Sequence, residues 1–131
     1  MPEFDESSVS PAPPEQVWKL LYDPARFPEW WAGVGSVQAG DAGEEYIMFP
    51  DGYPDFPMPQ SLRTSRDAGT VTISCQVSDL CFAWRLCPSG AGTEIRVHVE
   101  IPDAEAHRLG TQRQIIRQSL ARLAERAAAG G

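Results

Sequence analysis

Residues 10–37 read SPAPPEQVWKLLYDPARFPEWWAGVGSV, and this stretch decides the fold. Pro13 and Pro14 suit the first turn of a helix, where a backbone N–H has no helical partner to lose. Asp23 and Pro24 provide a second N-cap and first-turn proline, so we expect the chain to restart there as another short helix. Helices this short are not stable alone in water. They therefore predict a large apolar partner, which we expect to be a curved β-sheet.

The second short helix carries a tryptophan pair. Pro28 should stop this helix almost at once, because a proline disfavours helical geometry in the residue before it. Trp30 and Trp31 then follow at its end. We expect Trp30 to point into the protein interior.

Composition limits the classes of function. The 131 residues are long enough for a single domain (1–131) that buries roughly two-thirds of its unfolded surface. The net charge of −7 without a basic stripe argues against a nucleic-acid partner. No run approaches the roughly 18 apolar residues of a membrane span, and the first residues lack the basic start of a signal peptide. We therefore expect a cytoplasmic protein.

The cysteines and histidines give no metal pattern. Cys75, Cys81 and Cys87 are spaced by six residues, and no CxxC motif occurs. His98 and His107 fall on different predicted elements, so no zinc site and no cofactor is predicted. Free, mostly buried thiols are the expected state, with a nucleophilic cysteine as the alternative.

Most of the remaining sequence alternates as β-strands do. One face of the segment 93–101 is apolar and the other polar, which is typical of an antiparallel sheet solvated on one side. In the segment 70–77, Val71, Ile73, Cys75 and Val77 should share one face. Seven segments are predicted as strands: 4–9, 33–38, 44–49, 60–66, 70–77, 80–87 and 93–101.

Two further segments complete the secondary structure. A long helix is predicted from 102–103 to about Ala128, with a narrow apolar seam. The members of that seam are Leu109, Ile116, Leu120, Leu123 and Ala127. Its arginines mostly avoid the seam and are interpreted as a solvated face: Arg108, Arg113, Arg117, Arg122 and Arg126.

Two loops are predicted around the third strand. Residues 40–43 should form a hairpin turn. Residues 50–59 contain four prolines and should form a loop rather than a central strand. Tyr53, Phe56 and Met58 in this loop would either plug one end of the fold or form a ligand lid.

Four sequence features together resemble one family. They are 12–18 (APPEQVW), 23–24 with 28–30 (DP and PEW), 82–84 (FAW) ahead of 92–95 (GTEI), and the long last helix. In their order and spacing the chain resembles the START-like helix-grip superfamily, the SRPBCC group, in its polyketide cyclase/dehydrase branch. The resemblance implies an α+β fold in which a curved antiparallel seven-stranded sheet wraps around a long C-terminal helix, with two short helices after strand 1. It also implies a mostly apolar cavity between sheet and last helix, in a family whose members range from lipid carriers to aromatase/cyclases.

The resemblance suggests a set of cavity residues. Aromatic members of this set are interpreted either as simple core or as cavity wall. Arg63 and Arg66 face opposite ways, and whichever points inward could anchor a carboxylate or a polyketide oxygen. His98 is interpreted as a surface residue rather than a general base. The full set is Trp30, Tyr53, Phe56, Met58, Arg63, Cys75, Phe82, Trp84, Val97, Ile116 and Leu120.

Three functions follow as hypotheses. The inner faces that can be assigned contain no acid, base or hydroxyl, which favours binding of a small hydrophobic molecule (lipid, isoprenoid, polyketide or aromatic) over catalysis. The alternative is an aromatase/cyclase-like enzyme that uses Arg63 or Arg66, Tyr46 or Tyr53, and Cys75. If any two of these side chains point inward, the enzyme hypothesis is favoured. A protein-interaction module is the third hypothesis.

Overall fold

Seven strands form one antiparallel sheet in the computed structural model, which describes residues 2–40 and 44–130. Their order across the sheet is β1-β7-β6-β5-β4-β3-β2, so only the pairing of β1 with β7 is non-sequential. The strands are β1 (Glu3–Ser10), β2 (Val34–Ala39), β3 (Glu45–Pro50), β4 (Met58–Ser65), β5 (Thr70–Cys75), β6 (Cys81–Ser89) and β7 (Gly92–Glu100).

The helices lie where the proline pattern predicts them. Helix α1 (Pro14–Leu21) is followed by a 3₁₀ helix (Pro24–Glu29), and the Asp23 carboxylate accepts the Ala25 N–H at 3.1 Å as its N-cap. A second 3₁₀ helix (Asp103–Arg108) leads into the long helix α2 (Leu109–Ala128). The predicted helix-grip fold is confirmed, with the sheet curved around α2.

The last helix begins later than the sequence predicts. Glu105 has φ −112° and ψ 15°, which is not helical, so the 3₁₀ segment and α2 are separate elements. The predicted seam is confirmed over most of its length, because Ile116, Leu120, Leu123 and Ala127 are buried. Leu109 is only partly buried.

Strand β5 is shorter than predicted. It ends at Cys75, and Val77 is exposed rather than on the inner face with Val71 and Ile73. The reason is the turn that follows, in which Asp79 adopts the left-handed φ of 61° and the Asp79 N–H returns to the Cys75 carbonyl at 2.9 Å. Short polar residues such as aspartate tolerate that conformation better than most.

The proline-rich loop is also shorter than predicted. Met58 and Pro59 belong to β4, a central strand, so the loop itself covers only 51–57. The Pro59 carbonyl accepts the Gln76 N–H at 2.9 Å, just beyond the end of β5. In an antiparallel ladder the N–H and C=O of one residue face the same neighbour. Proline has no N–H, and the N–H that Pro59 lacks would have faced Gln76, beyond the end of β5. The proline therefore removes no hydrogen bond from the ladder between β4 and β5. The predicted 40–43 turn lies outside the described residues except for Gly40.

An aromatic cluster fills the interior between the 3₁₀ helix and the sheet. The Trp30 and Trp31 rings stack with centroids 5.3 Å apart, and each packs edge-on against Trp84, at 5.2 and 5.3 Å. Trp31 also meets Phe82 edge-on at 5.2 Å. The Trp30 indole N–H donates to the Leu20 carbonyl at 2.9 Å, which ties the cluster to the end of α1. This part of the fold is solid core.

Buried hydroxyls fasten α2 to the rest of the chain. Ser119 Oγ accepts the Ala32 N–H at 2.9 Å and donates to the Ile115 carbonyl at 2.7 Å. Ser10 Oγ donates to the Ala124 carbonyl at 2.8 Å. Because these groups are buried and paired, they fix the height of α2 above the sheet without leaving orphaned polar atoms.

The placement of α2 can be tested by substitution. Leu120→Asp would put an unpaired charge between helix and sheet, and we expect it to cost about 3–5 kcal/mol of unfolding free energy. Arg122→Ala, on the exposed side of the same helix, should cost less than about 0.5 kcal/mol. Chemical denaturation of both variants measures this difference, and equal midpoints would contradict the placement.

Candidate functional site

A cavity of about 200 Å³ lies beside the aromatic cluster, between the sheet and the N-terminal part of α2. Trp31 and Phe82 form the wall that separates it from the solid core. Leu80 is buried on the sheet side, whereas Met48 and Met58, which face each other across β3 and β4, are only partly buried at the rim. The cavity is therefore an apolar chamber with a flexible methionine pair at its opening.

Polar side chains form one row across the sheet wall of this cavity. Tyr46 on β3 is paired with Gln60 on β4, and Gln60 is paired with Cys75 on β5. Directly paired residues in antiparallel strands project their side chains from the same face. All three are buried and line the cavity. Three separate segments of sequence thus supply one continuous polar row, formed by Tyr46, Gln60 and Cys75.

Cys75 sits in an unusually polar setting for a buried thiol. Burial acts to raise its pKa, but hydrogen bonds from the Ser78 side chain, the Ser78 and Val77 backbone N–H groups and the Gln60 amide lower it overall. These donors belong to the tight turn after β5, in which Asp79 has a positive φ and the Asp79 N–H returns to the Cys75 carbonyl. Donors to a thiol favour its ionised form. These donors consequently favour the thiolate form of Cys75 over the form expected from burial alone.

Trp84 Nε1 in the aromatic core is itself buried without a hydrogen-bond partner, and two further unpartnered polar groups among the described residues lie on the cavity wall. They are the Tyr46 hydroxyl and the Gln112 side-chain amide, on residues only 4% and 8% exposed. Burial, and then the nearby Cys75, raise the pKa of Tyr46 far above its usual value, so the hydroxyl stays protonated and able to donate. Unpaired buried polar groups cost free energy. Their presence on the wall of a cavity points to a ligand that pairs with them.

One arginine lies at the rim of the cavity. Arg108, the residue before α2, lines the cavity and is partly buried, and it forms no ion pair within the described part of the chain. The other arginines of this helix face outward, as predicted: Arg113 and Arg117 bind Glu6, and Arg126 binds Glu29.

No grouping of metal-ligand type lies in the cavity among the described residues. Among the described residues, the group whose spacing could hold a metal ion is Glu3, His98 and Glu100, and it lies on the outer surface of β1 and β7. His98 Nδ1 lies 2.8 Å from Asp5, and this hydrogen bond raises the pKa of the imidazole. His98 is therefore a surface residue, as predicted. Among residues 2–40 and 44–130, no helix has the length and apolarity to cross a membrane.

Comparison with known proteins agrees with this architecture. The family model for polyketide cyclase/dehydrase and lipid transport matches residues 1–128. The chain belongs to this family. No curated protein matches the sequence.

Solved structures of low identity share the fold. The protein XoxI from Bacillus cereus superposes with a TM-score of 0.81 at 14% identity, over 95% of this chain and 94% of that one. TTHA0849 from Thermus thermophilus gives 0.74 at 17% identity over 99% of both chains. The di-domain ARO/CYC BexL from the BE-7585A biosynthetic pathway gives 0.80 at 17% identity, over 96% of this chain and 46% of that protein.

The predicted cavity residues of this family member divide into three groups. Met58, Cys75 and Phe82 line the cavity. Tyr53, Phe56 and Arg63 are exposed and lie away from it, and Arg66 is also exposed and pairs with Glu15 at 2.8 Å. Neither arginine points inward. The remaining five are buried in packed core: Trp30, Trp84, Val97, Ile116 and Leu120.

Sequence reasoning missed several cavity residues. Gln60, Ser78, Arg108 and Gln112 line it and were absent from the predicted set. One of them had a readable signal. Gln112 falls between Leu109 and Ile116 on the apolar seam of α2, and a buried amide on such a seam requires an explanation.

A stability measurement separates the cavity groups from structural ones. We expect Tyr46→Phe to change the free energy of unfolding by less than about 0.5 kcal/mol, because the hydroxyl gives up no hydrogen bond. Ser119→Ala should cost about 1–3 kcal/mol, because it leaves the buried Ala32 N–H without an acceptor. Urea denaturation provides both values. If Tyr46→Phe lowered the free energy of unfolding as much as Ser119→Ala does, the Tyr46 hydroxyl would have a structural partner.

Proposed function

We propose that this protein binds a small hydrophobic molecule inside the cavity between its sheet and α2. The observation that carries the proposal is an apolar chamber whose wall holds two unpartnered polar groups on otherwise buried residues, the Tyr46 hydroxyl and the Gln112 amide. Binding sites for small molecules are typically apolar with a few well-placed polar groups. The family's description, with polyketide chemistry and lipid transport in it, supports the same class of ligand.

The size of the cavity narrows the ligand class. At about 200 Å³ it lies below the range of roughly 300–1,000 Å³ that is usual for drug-sized ligands. A single ring with a short side chain and one oxygen fits this volume better than a fused polyketide or a lipid chain. Larger ligands would require the methionine pair at the rim to move.

The enzyme hypothesis gains one specific observation. Tyr46 and Cys75 both line the cavity, which meets the condition of two inward-facing groups from the predicted cyclase set. Arg63 and Arg66 do not contribute to it. A cyclase-like reaction in this chain would therefore depend on the phenol and the thiol, rather than on an inward arginine. An interaction module, the third hypothesis, gives no reason for unpaired polar groups inside a cavity.

Binding can be tested with a one-ring ketone, 4-(4-fluorophenyl)butan-2-one, followed by ¹⁹F NMR. Wild-type protein should broaden and shift the fluorine signal in a saturable way. Met58→Trp places an indole at the rim and should weaken binding by about tenfold or more, because a packed wall has no room for extra ring atoms. The fluorine signal is used because an added tryptophan would complicate protein fluorescence.

The matched control is Val9→Trp. Val9 is 62% exposed on β1, so the same enlargement there should leave the affinity unchanged. Both variants should melt as wild type does if the rim is as open as the structure indicates. A ketone that fails to bind wild-type protein, or that binds both tryptophan variants equally, would refute binding in this cavity.

A further inference from the structure

Cys75 combines three features that the other two cysteines lack. Its side chain lines the cavity in the same row as Gln60 and Tyr46, the turn after β5 supplies donors that lower its pKa, and two unpartnered donors share its chamber. Cys81 accepts a hydrogen bond from Ser74 at 3.7 Å and Cys87 borders an outer groove. Both are more exposed than Cys75, and all three are free thiols. Accessibility alone would therefore make Cys75 the slowest of the three to react.

We propose that Cys75 is a nucleophile that adds covalently to a small apolar enone bound in the cavity. The inference rests on the proposed function, since the same chamber must admit the ligand. An enone fits the groups present, because its carbonyl oxygen accepts hydrogen bonds and the Tyr46 hydroxyl and Gln112 amide are unpaired donors. Its carbon skeleton is apolar and matches the walls formed by Trp31 and Phe82.

The addition is balanced without any oxidant or reductant. The Cys75 sulfur forms a bond to the β-carbon of the enone, and the π bond between the α- and β-carbons breaks. Its electrons move onto the carbonyl oxygen, where donation from Tyr46 and Gln112 stabilises the developing negative charge. The proton released from the thiol ends on the α-carbon. The product is a thioether that contains every atom of both reactants, and the reverse reaction regenerates them.

The thiol's surroundings suit this step. A thiolate is the reactive form of cysteine, and donors on Ser78, Val77 and Gln60 favour that form of the buried Cys75 sulfur. Because these donors lower the pKa of Cys75, its reactivity should persist to a lower pH than that of an unperturbed thiol. The nearby phenol remains protonated over the same range, since its pKa is raised.

The test compares 4-(4-fluorophenyl)but-3-en-2-one with its saturated ketone, the probe used for binding. Wild-type protein is incubated with limiting enone, digested and analysed by mass spectrometry. We expect the adduct on Cys75 before Cys81 or Cys87, and we expect excess saturated ketone to slow it. Cys75→Ala should abolish the fast adduct. Cys87→Ser is the matched control and should react as wild type does.

A second variant tests the role of the donors. Tyr46→Phe should slow the adduct at Cys75 by about tenfold or more, because one donor to the developing oxyanion is lost. The rate of adduct formation at Cys75 at pH 6 and pH 8 provides an independent readout. This rate should fall less between pH 8 and pH 6 than the rate at which free cysteine adds to the same enone.

The outcomes separate this inference from the function on which it rests. Saturated ketone that binds, with no enone adduct on Cys75, overturns the nucleophile and leaves the binding function standing. Faster labelling of Cys81 or Cys87 than of Cys75 overturns it as well. If neither compound binds, both proposals fail together.

Discussion

The hydrogen bond from the Trp30 indole N–H to the Leu20 carbonyl, 2.9 Å long, holds together the parts on which the site depends. It joins the end of α1 to the end of the following 3₁₀ helix, two elements too short to be stable by themselves. With Trp30 anchored, the next residue is placed between core and cavity. Trp31 stacks on Trp30 at 5.3 Å and meets Phe82 edge-on at 5.2 Å. Trp31 and Phe82 thus complete the packed core on one side and form the cavity wall on the other.

This division explains how one interior contains both dense packing and a chamber. Around Trp84 the rings interlock, and enlarging a neighbour such as Val97 would overpack the core rather than fill a void. Beyond Trp31, the Phe27 ring of the 3₁₀ helix meets the Tyr46 ring of β3 edge-on, with centroids 5.6 Å apart, and the cavity that Tyr46 lines is left unfilled. The space is left apolar except for the row from Tyr46 to Cys75, with Gln112 on the covering helix. Buried polar groups without partners reduce stability, so their retention is the kind of local conflict that marks a functional site.

The sequence was sufficient for the fold but not for the site, and the reason is physical. Proline spacing and alternation are local signals, and they predicted the broken helices, β7 and most of the α2 seam correctly. The polar row depends on register between β3, β4 and β5, which is set by non-local pairing that alternation cannot report. The facing of Arg63 illustrates the limit, because its strand carries no clear alternation and one step of phase moves a side chain to the opposite face. Val77 shows a second limit, since alternation continued past the point at which the turn at Asp79 ended the strand.

Tyr46 and Cys75 lie in the same row of the cavity wall, and their pKa values are shifted in opposite directions. Burial disfavours the charged form of both, yet the Cys75 sulfur receives several donors while the Tyr46 hydroxyl receives none, so the thiol pKa falls and the phenol pKa rises. A charge on the sulfur further opposes ionisation of the phenol. Between their two pKa values the wall therefore holds an anionic sulfur and a neutral donor, which are separate acid–base roles assigned by environment alone. The same shift on Tyr46 implies that stability falls as the pH rises past the ordinary tyrosine pKa of 10.0, because the unfolded chain then releases a proton that the folded one retains.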